Sequence, residues 1–263
     1  MITTLAIGDP HAEPNNDNVR FEALGNFIAE RQPDNIVQMG DFLSLDSLSL
    51  HDEDKPLIKE GRRLKDDIEA GIDAYIKMMG PTKDLQDWQR EKKKKIYSPD
   101  GTWILGNHED RALRLVQRMP ELEGYIDHRS LLNVAADGWD IVDYRKYRYI
   151  EGVAFTHVPM NPKNNQPISG KYVSARAAEI HDSPIVFAHT HLLQTHTIAR
   201  HSDNPEGNQV RALNVGWFGD FKPGYVGDNT LDWWGGIVLL HHYDKGKFDI
   251  ETISMDRFKR EYL

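Results

Sequence analysis

Short apolar runs bounded by turn residues recur along the chain at residues 2–7, 36–39, 102–105, 153–156, 185–188, 211–215, 236–241 and 248–253. Runs of this length between Gly, Pro, Asp and Asn read as strands. Most are apolar throughout, the pattern of strands covered on both faces. Between them, apolar positions spaced three or four apart predict helices over residues 18–31, 57–79, 85–96, 110–119 and 171–181, several punctuated by a Ser, Asp or Asn cap or a following Pro or Gly. Strand–helix–strand alternation in the first half, then closely spaced strands near the end, predicts a layered α/β fold.

The stretch from about 51 to 100 interrupts that rhythm. Leu64, Ile68, Ile72, Ile76 and Met79 form an apolar stripe at helical spacing, so the segment is read as a two-helix insertion packed on a single domain covering residues 1–263. It carries twelve of the 32 Lys and Arg, balanced by twelve acidic residues, and the rest of the chain therefore bears the whole formal charge of −9. Such a charge argues against a protein that coats nucleic acid through its overall field, and leaves room for a local positive site. There is no cysteine, so any metal is held by His, Asp, Glu or Asn, which suits Mn, Fe, Ni, Zn or Mg. No run of about 18 apolar residues occurs and no charged, apolar, small-residue leader opens the chain, so the expectation is a cytoplasmic protein without a membrane partner.

Five of the strand candidates end alike. Asp9 and His11 follow the first, Asp41 the second, Asn107 and His108 the third, His157 the fourth, and His189 and His191 the fifth. Loops at the carboxyl ends of strands are where α/β folds gather their sites, because a rigid sheet aims several side chains at one point. Residues two apart in extended chain face the same side, which predicts that Asp9 with His11, and His189 with His191, each offer a pair of ligands.

Taken in order, Asp9-Pro10-His11, Gly40-Asp41, Gly106-Asn107-His108-Glu109, His157 and Ala188-His189-Thr190-His191 resemble the signature of the calcineurin-like metallophosphoesterase superfamily, D-x-H, GD, GNH[DE], H and GHxH. Ala188 stands where that family usually has Gly. The resemblance implies a four-layer α/β/β/α sandwich of two mixed sheets flanked by helices. It implies two divalent cations, manganese first, one held by Asp9, His11 and His191, the other by Asn107, His157 and His189, with Asp41 bridging. Hydroxide between the cations would attack phosphorus, and His108 would protonate the leaving oxygen or stabilise charge there.

Arg111, Arg114 and Arg118 share a face of the helix after Glu109. Arg111 is a candidate contact for a phosphate oxygen, and Arg114 and Arg118 fit a solvated face with salt bridges. Arg90 and Lys92 to Lys95 form a basic run able to track a nucleic-acid backbone or to stay solvated. His241 and His242 are read as structural. Trp217, Phe218, Tyr225, Trp233 and Trp234 either wall the cleft and stack on a base or pack internally. Ser44 stands where protein phosphatases of this family carry the Asp that orients the catalytic His, whereas Glu109 resembles those phosphatases. With the basic insertion, the balance favours a phosphodiesterase or nuclease acting on nucleotides or nucleic acid; a phosphomonoesterase or phosphoprotein phosphatase, or a catalytically silent metal-binding scaffold, is the alternative.

Overall fold

A computed structural model describes residues 1–50, 56–200, 208–221 and 232–263. The chain runs β1 (Ile2–Ile7), α1 (Val19–Arg31), β2 (Asn35–Gln38), α2 (Pro56–Lys59), α3 (Leu64–Glu91), β3 (Asp100–Ile104), α4 (Asp110–Arg118), β4 (Asp140–Val142), β5 (Arg148–Ile150) and β6 (Val153–Phe155). It continues β7 (Met160–Asn161), β8 (Gln166–Pro167), α5 (Val173–Ile180), β9 (Ile185–Phe187), β10 (Leu193–Arg200), β11 (Asn208–Val215), β12 (Gly236–Asp244), β13 (Lys247–Ser254) and α6 (Met255–Tyr262). The fold is mixed α/β.

Two mixed sheets dominate. One has the order β13-β12-β1-β2-β3-β4, the other β10-β11-β9-β6-β5. The centre of the first is parallel, Leu5 facing Ile36 and Ile36 facing Gly101, and β12 returns antiparallel on β1 with Leu5 opposite Leu239. In the second, β9 is parallel to both β6 and β11. Alternate side chains of β1 enter different cores. Leu5 and Ile7 join Phe21, Leu24 and Phe27 of α1, Met78 of α3 and Phe258 of α6, whereas Ala6 joins Val37, Ile104, Phe155, Val186 and Leu213. The second of these clusters holds residues from both sheets. A third, around Ala177 and Ala178 of α5 and Phe187 of β9, covers another face. Strands buried on both sides are therefore apolar throughout, as their sequence suggested.

The segment between β2 and β3 differs from its expected form. The helices expected over 57–79 and 85–96 are, after the single turn of α2, one continuous helix of 28 residues, α3, with Pro81 inside it. A proline inside a helix forfeits one backbone bond and costs about 3 kcal/mol. Here the buried face continues on both sides of it through Ala74, Tyr75, Met78, Thr82 and Gln89, and Gln86 and Gln89 tie the second half to the backbone of Tyr97 at 2.9 and 2.7 Å. The apolar stripe is also rotated from the predicted one: Ile72 and Ile76 are 43% and 61% exposed, while Gly71, Ala74, Tyr75 and Met78 face inward. As the link between two parallel strands, α3 is a crossover helix of the sheet.

The helix ends at Glu91, next to the amino end of β3, so Arg90 and Lys92 to Lys95 lie at the opposite end of the strands from Asn107. Arg90 pairs with Asp87, and Lys94 sits 4.1 Å over the Trp88 ring. The basic run therefore does not border the strand-end residues. Among the described residues no helix is long and apolar enough to cross a membrane.

Candidate metal centre

The seven side chains proposed as ligands converge. Asp9 and His11 follow β1, Asp41 follows β2 and Asn107 follows β3, all in the six-stranded sheet; His157 follows β6, and His189 and His191 follow β9, in the five-stranded one. Both sheets thus deliver residues to one point.

The local backbone that aims them is not extended. Asp9, His11, Asp41, His189 and His191 have φ of 39, 47, 51, 71 and 60°, in the left-handed region that Asp and His enter more readily than most side chains. Each such residue costs on the order of 1–3 kcal/mol and persists where its surroundings over-determine it. The pairs two apart point together because the chain coils between them, not because it alternates. Gly40, at φ 106°, and Gly106 have no room for a side chain: a Cβ at Gly40 would strike the His157 ring, and one at Gly106 the Asp41 carboxylate.

One group of ligand atoms surrounds His157. Its Nδ1 lies 3.0 Å from the Met39 carbonyl; a carbonyl only accepts, which assigns the proton to Nδ1 and leaves a lone pair on Nε2. That Nε2 is 2.9 Å from Asn107 Oδ1, 3.1 Å from His189 Nδ1 and 3.4 Å from Asp41 Oδ2. A lone pair facing an amide oxygen and a carboxylate oxygen is repulsive unless a cation lies among them. The donor set fits a divalent ion of borderline softness.

A second group is built on His11 and His191, whose Nε2 atoms are 3.3 Å apart, with Asp9 Oδ2 3.4 Å from His191 Nε2. Asp9 Oδ1 is buried and has no hydrogen-bond partner among the described residues, with His157 Nδ1 3.4 Å away, a condition a cation would relieve. Asp41 offers a carboxylate oxygen within 4.8 Å of ligand atoms of His157 and His189 in one group and of His11 and His108 in another, and so belongs to both.

Electrostatics agree with the geometry. Burial holds His157 down to about 4, burial and then His157 hold His189 down to about 3, and burial, His189 and His157 hold His191 down to about 3. His11 is lowered well below its usual range by burial and by His108. All four imidazoles are neutral at pH 7, the form that ligates metal. Burial pushes Asp41 up to about 7, and burial with the neighbouring Asp41 raises Asp9 well above the carboxylate range. Without cations this site resists its own negative charge.

His108 sits at the edge of the group, its ring centroid 4.7 Å from that of His11. Its Nδ1 is 2.5 Å from the Ser44 carbonyl, and its Nε2 accepts from Arg111 Nη2 at 3.2 Å. The Ser44 backbone thus orients the ring where a carboxylate was looked for, while the Ser44 hydroxyl donates to Glu13 at 3.3 Å. Arg111, considered for a phosphate, also clamps Ser44 O at 2.9 Å, Leu45 O at 3.2 Å and Asp46 Oδ1 at 3.1 Å. Arg114 makes the surface ion pair with Asp110 at 2.7 Å. His241 pairs with Glu251 and His242 with Thr4, both at 2.9 Å.

Two supports escaped the sequence, and two tryptophans it singled out lie against the site. Glu109 is buried and accepts from the backbone N–H groups of Asp41, Leu43 and Gly106 at 3.0, 2.9 and 2.8 Å, stapling the Asp41 loop to the Asn107 loop. Burial and Asp41 push it to about 7, and those N–H bonds pull the other way. Arg20, 1% exposed, donates to the carbonyls of Pro10, Phe218, Asp17 and His11 at 2.8, 3.3, 3.1 and 3.4 Å. An arginine in the first turn of an apolar helix gives no advance sign of this. Trp217 stacks on His191 with centroids 5.5 Å apart, and Trp233 meets the same ring edge-on at 4.0 Å. Phe218 belongs to the core cluster around α1 and Trp234 is half-buried against the cluster between the sheets; Tyr225 lies outside the described residues.

No family model matches the chain, and no curated protein matches it. Among solved structures, one crystal structure aligns over 96% of this chain and 99% of its own, at 14% identity and a TM-score of 0.40, a likeness too slight to carry an argument.

Proposed function

We propose that the protein is a dimetal-dependent phosphoester hydrolase with a four-layer α/β/β/α metallophosphoesterase sandwich, acting as a phosphodiesterase or nuclease on nucleotides or nucleic acid. The observation that carries the reading is the contact of His157 Nε2 with Asn107 Oδ1 at 2.9 Å, a buried acceptor facing a half-buried one within a ring of acidic and imidazole groups. Asp9, His11 and His191 would hold one cation, Asn107, His157 and His189 the other, with Asp41 shared. When bound, two divalent ions lower the pKa of water toward neutrality and stabilise the attacking and leaving oxygens of an in-line displacement. The protein's own share is to orient and to move a proton. The Ser44 carbonyl holds His108 by Nδ1, with Nε2 3.9 Å from Asp41 and accepting from Arg111; once the Arg111 guanidinium turns to a phosphate oxygen, Nε2 would be free to take a proton and pass it to the departing oxygen. The core cluster shared by the two sheets and the helices on their outer faces support the layered architecture.

The test is hydrolysis of bis-p-nitrophenyl phosphate by the purified protein with Mn²⁺, against the same protein carrying Asp41→Asn or His108→Ala. Turnover by the wild type and none by either variant is expected. Activity confined to monoesters would overturn the diesterase choice, and no metal uptake would overturn the hydrolase.

A further inference from the structure

The apolar stripe that the sequence sets along α3 is left partly outside the core. Ile72 and Ile76 are 43% and 61% exposed. Helical spacing puts Lys65, Glu69, Lys83 and Asp87 in line with them, and those side chains are 80, 62, 57 and 71% exposed. Gly80 lies on the same face, with open space where a side chain would stand. The flanks of the helix are taken. On one side Asn18 of α1 donates to Ala70 O at 3.1 Å and Asp73 at 2.8 Å, and on the other Asp137 accepts from Tyr75 at 2.7 Å. The outward row thus reads Lys, Glu, Ile, Ile, Gly, Lys, Asp over about 33 Å. Its ion pairs within the chain, Lys65 with Glu69 and Lys83 with Asp137 at 3.5 Å each and Asp87 with Arg90, are exposed ones that stabilise little.

That row is complementary to itself when reversed. Turned end for end about Ile76, Ile76 meets its own copy, Ile72 meets Gly80, Glu69 meets Lys83 and Lys65 meets Asp87, each unlike pair occurring twice by symmetry. Neighbouring arrangements oppose like charges. Centring the pair midway between Ile72 and Ile76 sets Lys65 against Lys83, and parallel helices in register set every charge against itself. We propose that this face of α3 is the interface of a two-fold homodimer, its occupant a second copy of the chain packed antiparallel about Ile76. The bare backbone at Gly80 receives Ile72 of the other copy, which lets the helices approach closely, and the exposed isoleucines are covered. Because α3 begins on the side where β2 delivers Asp41 and ends at the amino end of β3, the two metal centres would open at opposite ends of the dimer. None of this depends on the hydrolase reading.

Sedimentation velocity of the full chain over about 1–100 μM, where small interfaces dissociate, should show a species of twice the 30.2 kDa chain that weakens as salt is raised. Ile76→Glu, at a position exposed in the single chain, should keep the circular dichroism spectrum and raise the dimer dissociation constant at least about a hundred-fold, because two carboxylates then meet on the axis. Glu69→Lys and Lys83→Glu should each weaken the dimer about ten-fold, and the two together should restore it to within about three-fold of the wild type. Since the chain has no cysteine, Ile76→Cys adds a lone thiol that should oxidise to a covalent dimer: axes about 8–10 Å apart bring its two copies within disulfide reach. Ile72→Cys, its copies about 12 Å apart along the axis, should link at least about ten-fold more slowly. A chain that stays monomeric throughout, or a dimer indifferent to Ile76→Glu, overturns the proposal. Equal linking of Ile72→Cys and Ile76→Cys, or a double charge exchange that dimerises no better than the single ones, overturns the pairing on which it rests.

Discussion

Replacing Glu109 by glutamine isolates the part of the site that is built by backbone. The carboxylate accepts two N–H groups on Oε2, from Asp41 and Gly106, and one on Oε1, from Leu43. Glutamine keeps the shape but has one acceptor oxygen. With that oxygen turned to the two donors, its amide NH₂ meets the Leu43 N–H head-on, and one buried donor is orphaned at a cost of about 1–3 kcal/mol. Alanine would orphan three, about 3–9 kcal/mol, a large share of the roughly 5–15 kcal/mol that holds a domain folded. Glu109→Gln is therefore expected to fold, to lose about 2 kcal/mol in urea titrations of the chelated protein, and to bind Mn²⁺ about 10–100-fold more weakly in competition with a chromophoric chelator, the usual penalty for disturbing the groups behind metal ligands. A variant with wild-type midpoint and wild-type affinity would refute the staple. One that is less stable but binds metal normally would reduce Glu109 to a fold residue.

Other outcomes follow from the same contacts. Arg20→Met should cost about 3 kcal/mol or more by freeing buried carbonyls and weaken metal uptake, with Arg20→Lys giving little rescue because one ammonium cannot span the acceptors; rescue by lysine would count against the caging role. Because Trp217 and Trp233 touch His191, Mn²⁺ should change intrinsic tryptophan fluorescence saturably, and Trp217→Phe/Trp233→Phe should abolish that response; an unaltered signal would place the ion elsewhere. In chelator, acid should destabilise the protein. His11, His108, His157, His189 and His191 are lowered in the fold, so the unfolded chain gains protons as pH falls below 6.5, whereas Asp9, Asp41 and Glu109 are raised and work the other way. Five against three leaves about two protons, or on the order of 3 kcal/mol lost per pH unit between about 6 and 5; a urea midpoint that is flat or rises toward pH 5 would contradict this balance.

The convergence of the seven proposed ligands was legible because each stands where an apolar run stops, a signal that survives errors in element boundaries. The parallel centre of the first sheet was legible for the same reason, since strands such as β1 and β2 are buried on both faces. What failed was less apolar. The edge strand β10, with Thr195, His196 and Thr197 all exposed, offers no hydrophobic run. The short strands β4 and β5 and helix α6 were missed for lack of length or pattern. Gly80-Pro81 in α3 suggested a break that tertiary packing overrides. Left-handed backbone at Asp9 or His189 cannot be read from residue type, because Asp and His occupy that region only when their neighbours force it. The roles of Arg20 and Glu109 are invisible for another reason: their partners are main-chain atoms, which carry no sequence signature.

Since each proposed cation would draw ligands from both sheets, occupancy has a mechanical meaning. A bound ion acts as a rivet through the seam, so prying the halves apart first requires its release. Loading should then slow unfolding and shield the inter-sheet core from proteases by an amount that grows with free metal concentration, by mass action, while leaving the outer helices as pliant as before. Stripping the metal would leave the two sheets joined by their shared core and by a few hydrogen bonds such as His157 to Met39.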